Sequence, residues 1–328
     1  MTQALGAAAL VLIGASCVVG NPTAADKVPG VLPDRTAAHV NLSYNPAGHS
    51  VATRKLDLYL PAASGTAAPV IVWVHGGGWE VGDKADKSSA CKSILAQVQR
   101  GFAVASINYR LSGEAIFPAP VQDVKLAVRW LKANAATYGL DANAVIVAGE
   151  SAGGHLVALA AVSQGQFELN VPGWPNSTVK AVIDFVGPTN MQAFHEDSPW
   201  RFYAGTLLGC PVIANGPPRI YDCAEAVLEA ASATTYLDSA DPAVYMAYGD
   251  GDPVVAAQAQ GRVAAEQWAL ALGKTLEQSD KVWFDLVDGG GHNIAPQTAE
   301  LPPNTPEEQR KTYNFAALQR FLDTVAPR

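Results

Sequence analysis

Three segments far apart in the chain carry the residue types of acyl transfer: His75-Gly76-Gly77-Gly78-Trp79, Gly149-Glu150-Ser151-Ala152-Gly153, and the late residues Asp252 and His292. A serine hydroxyl attacks a carbonyl carbon only when a base takes its proton. That base is commonly an imidazole, which in turn needs a carboxylate to hold its tautomer. The charge that then develops on the carbonyl oxygen calls for donors aimed at it beforehand. The three segments supply each of these parts, so the expected chemistry is that of a serine hydrolase.

Ser151 is singled out by what flanks it. Apolar Ala144-Val145-Ile146-Val147-Ala148 runs into Gly-x-Ser-x-Gly and then into Gly154-His155-Leu156-Val157-Ala158-Leu159, which reads as a helix. Strand, sharp turn and helix in that order force a serine into strained backbone geometry with its hydroxyl exposed. Glycines on either side remove the side chains that would collide there. The alternative is an ordinary Gly-rich strand-to-helix connection.

Of the six histidines, His39, His49 and His195 read as surface residues. His75 precedes three glycines and is expected to brace that loop through a backbone hydrogen bond. His155 falls one helical turn beyond Ser151, which carries it away from the hydroxyl. His292 follows the alternating strand Lys281–Val287 and the flexible Asp288-Gly289-Gly290-Gly291, which suits a base. For the acid, Asp252 lies in Gly249-Asp250-Gly251-Asp252-Pro253-Val254-Val255, at the carboxyl end of the apolar strand Ala243–Tyr248. Functional groups gather at that end in open parallel sheets. Asp250 reads as a turn residue between glycines. Asp285 points out of a strand, and Asp288 is too close to His292 in sequence to reach its far nitrogen easily.

The order Ser, Asp, His is that of the α/β-hydrolase fold. The chain resembles esterases and lipases of that fold that carry a His-Gly-Gly-Gly oxyanion loop. It is most similar to the bacterial feruloyl and acetylxylan esterase-like (BD-FAE) group, on His75-Gly76-Gly77-Gly78-Trp79, Asn108-Tyr109-Arg110-Leu111-Ser112 and Gly149-Glu150-Ser151-Ala152-Gly153-Gly154-His155-Leu156. The resemblance runs from about Val51 to the C-terminus, is strong from Pro69 to Ala160 and weak across Gly187 to Ser239. The hormone-sensitive-lipase-like branch usually carries Asp-Pro-Leu upstream of its acid, and this chain departs from it. The resemblance implies Ser151 as nucleophile, Asp252 as acid and His292 as base. Its oxyanion hole would be the N–H of Ala152 with those of Gly77 and Gly78, Gly76 being a further candidate. Glycines let a substrate approach the main chain closely, and here they follow the apolar strand Val70–Val74 directly. Trp79, beside that loop, is expected to touch substrate.

Eight strand candidates alternate with helical stretches from Gly82 onward, which predicts a mostly parallel eight-stranded sheet covered on both faces. A single α/β-hydrolase domain over 26–328 is expected, with an insertion at about 187–241 over the site, where Trp200, Phe202, Tyr203 and Tyr236 lie. Arg110 and Asp123 are typed and spaced like a buried ion pair, and Val124–Ala136 reads as a core helix with Leu126, Ala127, Trp130 and Leu131 on one face.

The net charge of −8 and the lack of a basic cluster argue against a nucleic-acid partner. No CxxC or histidine cluster suggests a metal, and no cofactor is expected. Ala4 to Val19 is small and apolar, like the core of a signal peptide, with cleavage expected after Ala25, although no Lys or Arg precedes it. Secretion or residence in the cell envelope is therefore expected. Ile13 to Cys17 only loosely resembles a lipoprotein box, and the apolar run is shorter than the ~20 residues a membrane span needs. In that setting Cys210 and Cys223 are expected to form a disulfide around Pro211–Asp222, leaving Cys91 as an unpaired, buried apolar thiol. The function expected is hydrolysis of short acyl or aromatic-acid esters, small or polymer-linked, of acetyl or feruloyl type. Arylformamidase and polyester depolymerase are alternatives on the same chemistry, and a non-catalytic binding module is a remote one.

Overall fold

The apolar runs of the sequence become the strands of one sheet. The computed structural model describes residues 37–86, 88–214, 220–296 and 312–327. Its strands are β1 (Ala37–Ser43), β2 (Lys55–Leu60), β3 (Ala68–Val74), β4 (Ala103–Ile107), β5 (Leu140–Glu150) and β6 (Ala181–Phe185). A ribbon of β7 (Val212–Ala214) and β8 (Ile220–Tyr221) comes before β9 (Ala243–Gly249) and β10 (Val282–Val287). The main sheet has eight strands in the order β1-β2-β4-β3-β5-β6-β9-β10. Its β1–β2 and β2–β4 pairings are antiparallel and the rest are parallel.

Parallel strands covered on both faces need continuous apolar runs instead of alternation. Every residue of β4, β6 and β9 is accordingly buried. The helices that cover them are α1 (Ser89–Leu95), α2 (Ala119–Ala133), the short α3 (Ala135–Tyr138), α4 (Ala152–Val162), α5 (Met191–Asp197), α6 (Arg201–Leu208), α7 (Glu225–Ala230), α8 (Val263–Ala271) and α9 (Phe315–Val325). All eleven residues of α4 are buried between the sheet and α2, so it needs no polar stripe. At the chain's end α9 buries Leu318, Phe321, Leu322 and Val325, the one-face spacing of a helix on a core. Helix α2 starts at Ala119 instead of the expected Val124, because Pro120 sits in its first turn, where a missing N–H costs no helical hydrogen bond. Among the described residues no helix is long and apolar enough to cross a membrane.

Strand register gathers the loops that matter. Val74 lies level with Gly149, Glu150 with Phe185, Phe185 with Ala247, and Gly249 with Val287. The loops leaving β3, β5, β6, β9 and β10 therefore emerge along one edge. Strand β3 has β4 on one side and β5 on the other, and such a reversal of strand order opens a crevice at the carboxyl ends. Beneath it, Asp123 is fully buried and holds both Arg110, by Nε at 2.8 Å and Nη2 at 2.9 Å, and Arg54, by Nε at 2.8 Å.

Between β6 and β9 the chain forms α5, α6, the β7–β8 ribbon, α7 and a tight turn at Ala233–Tyr236. Cys210 and Cys223 are bridged, with Cα atoms 5.0 Å apart. Cys91 is buried on α1 and is also disulfide-bonded, which corrects the expectation of an unpaired thiol. The sequence around it carried only the apolar helix face, and a thiol on such a face gives no local sign that it is bonded. The expected signal segment and its cleavage after Ala25 lie outside the described residues.

Candidate active site

Ser151 stands between β5 and α4 with φ 55° and ψ −120°, a backbone region that non-glycine residues rarely adopt. Its N–H is held by the Phe185 carbonyl at 2.8 Å, and its own carbonyl accepts from His155 N at 3.0 Å. The turn is possible only because its neighbours lack side chains. A Cβ on Gly149 would strike the backbone of Gly153, and one on Gly153 would strike the Val74 carbonyl. Three of the five described non-glycine residues with positive φ adjoin this edge, namely Trp79 at 59°, Ser151 at 55° and Val186 at 51°, and strain of this kind concentrates at functional sites.

The histidine and the acid arrive on adjacent strand ends. His292 Nε2 lies 2.8 Å from Ser151 Oγ, and His292 Nδ1 lies 2.8 Å from Asp252 Oδ2. Asp252 is oriented by its other oxygen, which accepts from Val254 N at 2.7 Å and Val255 N at 3.0 Å. The loops after β9 and β10 are stitched together by Gly251 N to Gly290 O at 2.9 Å and Asp250 N to Val287 O at 3.2 Å. Asp250 and Asp288 are exposed, and Asp285 accepts from the Tyr245 hydroxyl at 3.0 Å. The sequence thus brings Ser151, His292 and Asp252 into one hydrogen-bonded line and leaves the rival carboxylates outside it. Such a line can activate a hydroxyl and hold the resulting imidazolium.

The glycine loop is braced from behind. His75 Nδ1 lies 2.8 Å from the Gly76 carbonyl, and its ring stacks on Tyr109 at 4.5 Å. Burial pushes His75 down to about 4, although the Gly76 carbonyl works against it, so the ring is neutral and donates that bond. Gly82 leaves room for the ring, since a Cβ there would meet His75 Nδ1. Gly77, at φ 107°, packs against the Val81 carbonyl, and Gly76 against the Glu150 carbonyl and Ser151 Cβ. Ala152 is the first residue of α4, where backbone N–H groups have no helical partner and are available to an anion. Of the loop's glycines Gly76 packs directly on Ser151 Cβ, and Ala152 follows Ser151 with its N–H at the open end of α4.

Trp79 is placed differently from the expectation. Its side chain turns into the core at 2 % exposure, its indole N–H donates to His155 Nδ1 at 3.1 Å, and it meets Phe194 edge-on. That corrects the substrate contact expected of it, because a ring held inward by its one polar atom has little surface left for a ligand. His155 passes the other way, from Nε2 to the Ala231 carbonyl at 2.8 Å, which ties α4 to the insertion. Burial lowers it to about 4. Glu150, beside the nucleophile, is buried, and burial followed by the charge of Asp86 raises it to about 7. Asp184 is likewise raised to about 7 by burial, against hydrogen bonds from Tyr248 and Gly187 N.

Of the insertion's aromatics, Tyr203 meets the glycine loop. The ring of Tyr203 on α6 lies so close to Gly78 that a Cβ there would come within 2.9 Å of it. The insertion's aromatics were visible in the sequence, but nothing in their spacing says which of them reaches the glycine loop.

Residues 56–266 match the BD-FAE family. The chain belongs to that family. It is 31% identical over 235 residues to Esterase LipQ of Mycobacterium tuberculosis, an alignment covering 70% of this chain and 52% of LipQ. It therefore spans about half the length of that relative. Among solved structures it resembles a truncated carbohydrate esterase from gut microbiota at 27% identity and a TM-score of 0.67, covering 89% of this chain and 97% of the other. It also resembles a bifunctional GH43-CE protein of Bacteroides eggerthii at 29% identity and a TM-score of 0.67, over 88% of this chain and 35% of that one. These neighbours share the α/β-hydrolase fold, to which this member of the family also conforms.

Proposed function

We propose that this chain is a carboxylic ester hydrolase working through an acyl-enzyme on Ser151. The observation that carries the reading is the line from Ser151 Oγ through both nitrogens of His292 to Asp252, each link 2.8 Å. Ser151 Oγ attacks the ester carbonyl as His292 Nε2 takes its proton, and Asp252 stabilises the imidazolium through Nδ1–H. The oxyanion is met by the N–H groups of Ala152, Gly77 and Gly78, a contribution of about 3 to 4 kcal/mol per donor in comparable enzymes. Collapse expels the alcohol, protonated by His292, and leaves acyl-Ser151. Water attacks next with His292 again as base, releasing the acid and restoring the hydroxyl.

The substrates proposed are short acyl or aromatic-acid esters of acetyl or feruloyl type. Family membership supports this choice, and the likeness to a carbohydrate esterase favours esters carried on sugars. Export is part of the same proposal, and the Cys210–Cys223 bridge supports it, since disulfides persist in oxidising compartments. The test is a panel of p-nitrophenyl esters of rising chain length with methyl ferulate, acetylated xylan and N-formylkynurenine. Mass spectrometry would run alongside, on protein treated with a fluorophosphonate. Turnover of acetyl or feruloyl esters with the label on Ser151 is expected. Preference for N-formylkynurenine would make it an arylformamidase, and a label elsewhere would remove the nucleophile.

A further inference from the structure

We propose that Tyr203, backed by Trp200, is a specificity-determining shelf beside the oxyanion loop that receives a flat ring group of the ester. This inference rests on the esterase reading above and adds to it where the ring would lie.

Three observations carry it. First, the Tyr203 ring is seated on the oxyanion loop itself: a Cβ on Gly78 would lie 2.9 Å from its Cγ and Cδ1. On the esterase reading, the loop that would hold the carbonyl is thus the loop on which this ring sits. Second, Tyr203 belongs to a cluster. Trp200 lies parallel to it within 3° at 5.9 Å, and Phe202 is tilted at 4.2 Å. All three rings are only partly buried. Nearby on the surface Val81 is 48% exposed, and Ile116, packed against the end of α6 at Gly209, is 50% exposed. Partly exposed apolar side chains gathered beside a site offer a ligand surface, and rings offer it offset or edge-on contacts.

Third, the shelf is built on a braced helix. Gly205 of α6 packs against the Tyr221 ring on β8, and Thr206 Oγ1 and the Tyr221 hydroxyl lie 2.9 Å apart. Phe117 N donates to Leu207 O at 2.8 Å, and the Cys210–Cys223 bridge closes the ribbon just beyond. A ring held in this way loses little freedom when it binds, which is how preorganised contacts become selective. Burial, then the charge of Glu80, holds the Tyr203 phenol above its usual range.

The experiment compares kcat/KM for phenyl acetate, with its ring on the alcohol, methyl cinnamate, with its ring on the acid, and ethyl acetate, with none. It is run on wild type, Tyr203→Ala, Tyr203→Phe and the distant surface variant Leu270→Ser. In Tyr203→Ala the ratio of one ring ester to ethyl acetate should fall by about tenfold, the scale of a lost stacking contact, and the ester affected tells which side of the carbonyl the shelf serves. Tyr203→Phe and Leu270→Ser should keep the wild-type ratio. Equal losses on all three esters would mean that Tyr203 only props the oxyanion loop, and unchanged ratios would also overturn the shelf. Wild type that is folded by circular dichroism yet cleaves none of the three would sink the esterase reading itself, a separate result.

Discussion

Ser151, Asp252 and His292 stand at the ends of paired strands, whereas Tyr203 and Phe202 stand on a helix of eight residues inside the insertion, with Trp200 capping its start. The first region is positioned by backbone. Parallel ladders set β5, β6, β9 and β10 level, glycines allow the loops to touch, and main-chain N–H groups orient Asp252. The second is positioned by side chains and one bridge: ring on glycine, ring on ring, hydroxyl on hydroxyl. Backbone ladders depend little on which side chains are present, so the loops carrying Ser151, Asp252 and His292 are aligned by main-chain hydrogen bonds. On the proposed function, chemistry belongs to the sheet and selection to the insertion.

That division is most sharply tested at the nucleophile. Ser151→Ala should lower kcat by about four to six orders of magnitude, with residual rate from the oxyanion donors, and an unchanged melting curve. Activity within tenfold of wild type would end the assignment. Next in size, Asp252→Asn should cost about four orders of magnitude, because the amide favours the wrong imidazole tautomer, while the exposed Asp250→Asn stays near wild type. The opposite ranking by steady-state kinetics would transfer the role.

In the insertion a smaller and selective effect is expected. Cys210→Ser with Cys223→Ser should cost about 2 to 4 kcal/mol at most, read by urea unfolding. It should lower kcat/KM for bulky aromatic esters more than for p-nitrophenyl acetate, since remote binding energy is what a bulky substrate loses. Equal losses would show that the bridge supports the sheet as well. Non-reducing peptide mapping should find Cys210 joined to Cys223.

The smallest effects concern pH and stability, where burial acts in two directions. His75 and His155 fall from an ordinary 6.5 to about 4. Their contribution is complete above about pH 6.5 and is lost as pH falls through 4. Asp184 rises from 3.8 to about 7. Its contribution is present below about pH 4 and is lost as pH rises through 7. Asp184→Asn should therefore flatten the decline of Tm between about pH 4 and 7, and His155→Gln should flatten the decline below about pH 6.5. Melting profiles of the variants that parallel wild type would show that these groups do not titrate across folding.

Much of the sheet was legible because buried parallel strands are written as unbroken apolar runs. The eight expected strands correspond to those of the sheet with ends shifted by a few residues. Beyond such runs, a strained turn needs glycines, as at Gly149 and Gly153, and a loop acid is marked by the chain that must come back around it, as at Pro253 and Val254. Arg54 was missed as the second partner of Asp123, because it lies on a loop with no periodicity to reveal its neighbour. Trp79 was read outward from its place beside the glycines, whereas its ring is buried and its N–H donates to His155.

Local chemistry in the sequence was therefore enough to determine which strands form, where the backbone must be glycine, and which serine, histidine and aspartate are typed for acyl transfer. Each of those constraints acts between residues near in sequence, or between a residue and the solvent. Tertiary structure alone decided that His292 Nε2 meets Ser151 Oγ, that Cys91 is bonded, that Trp79 gives its N–H to His155, and that Tyr203 among the insertion's rings lies on Gly78. Such contacts join segments brought together by strand register and helix packing, and a ring or thiol carries in its own sequence no mark of the partner it will meet.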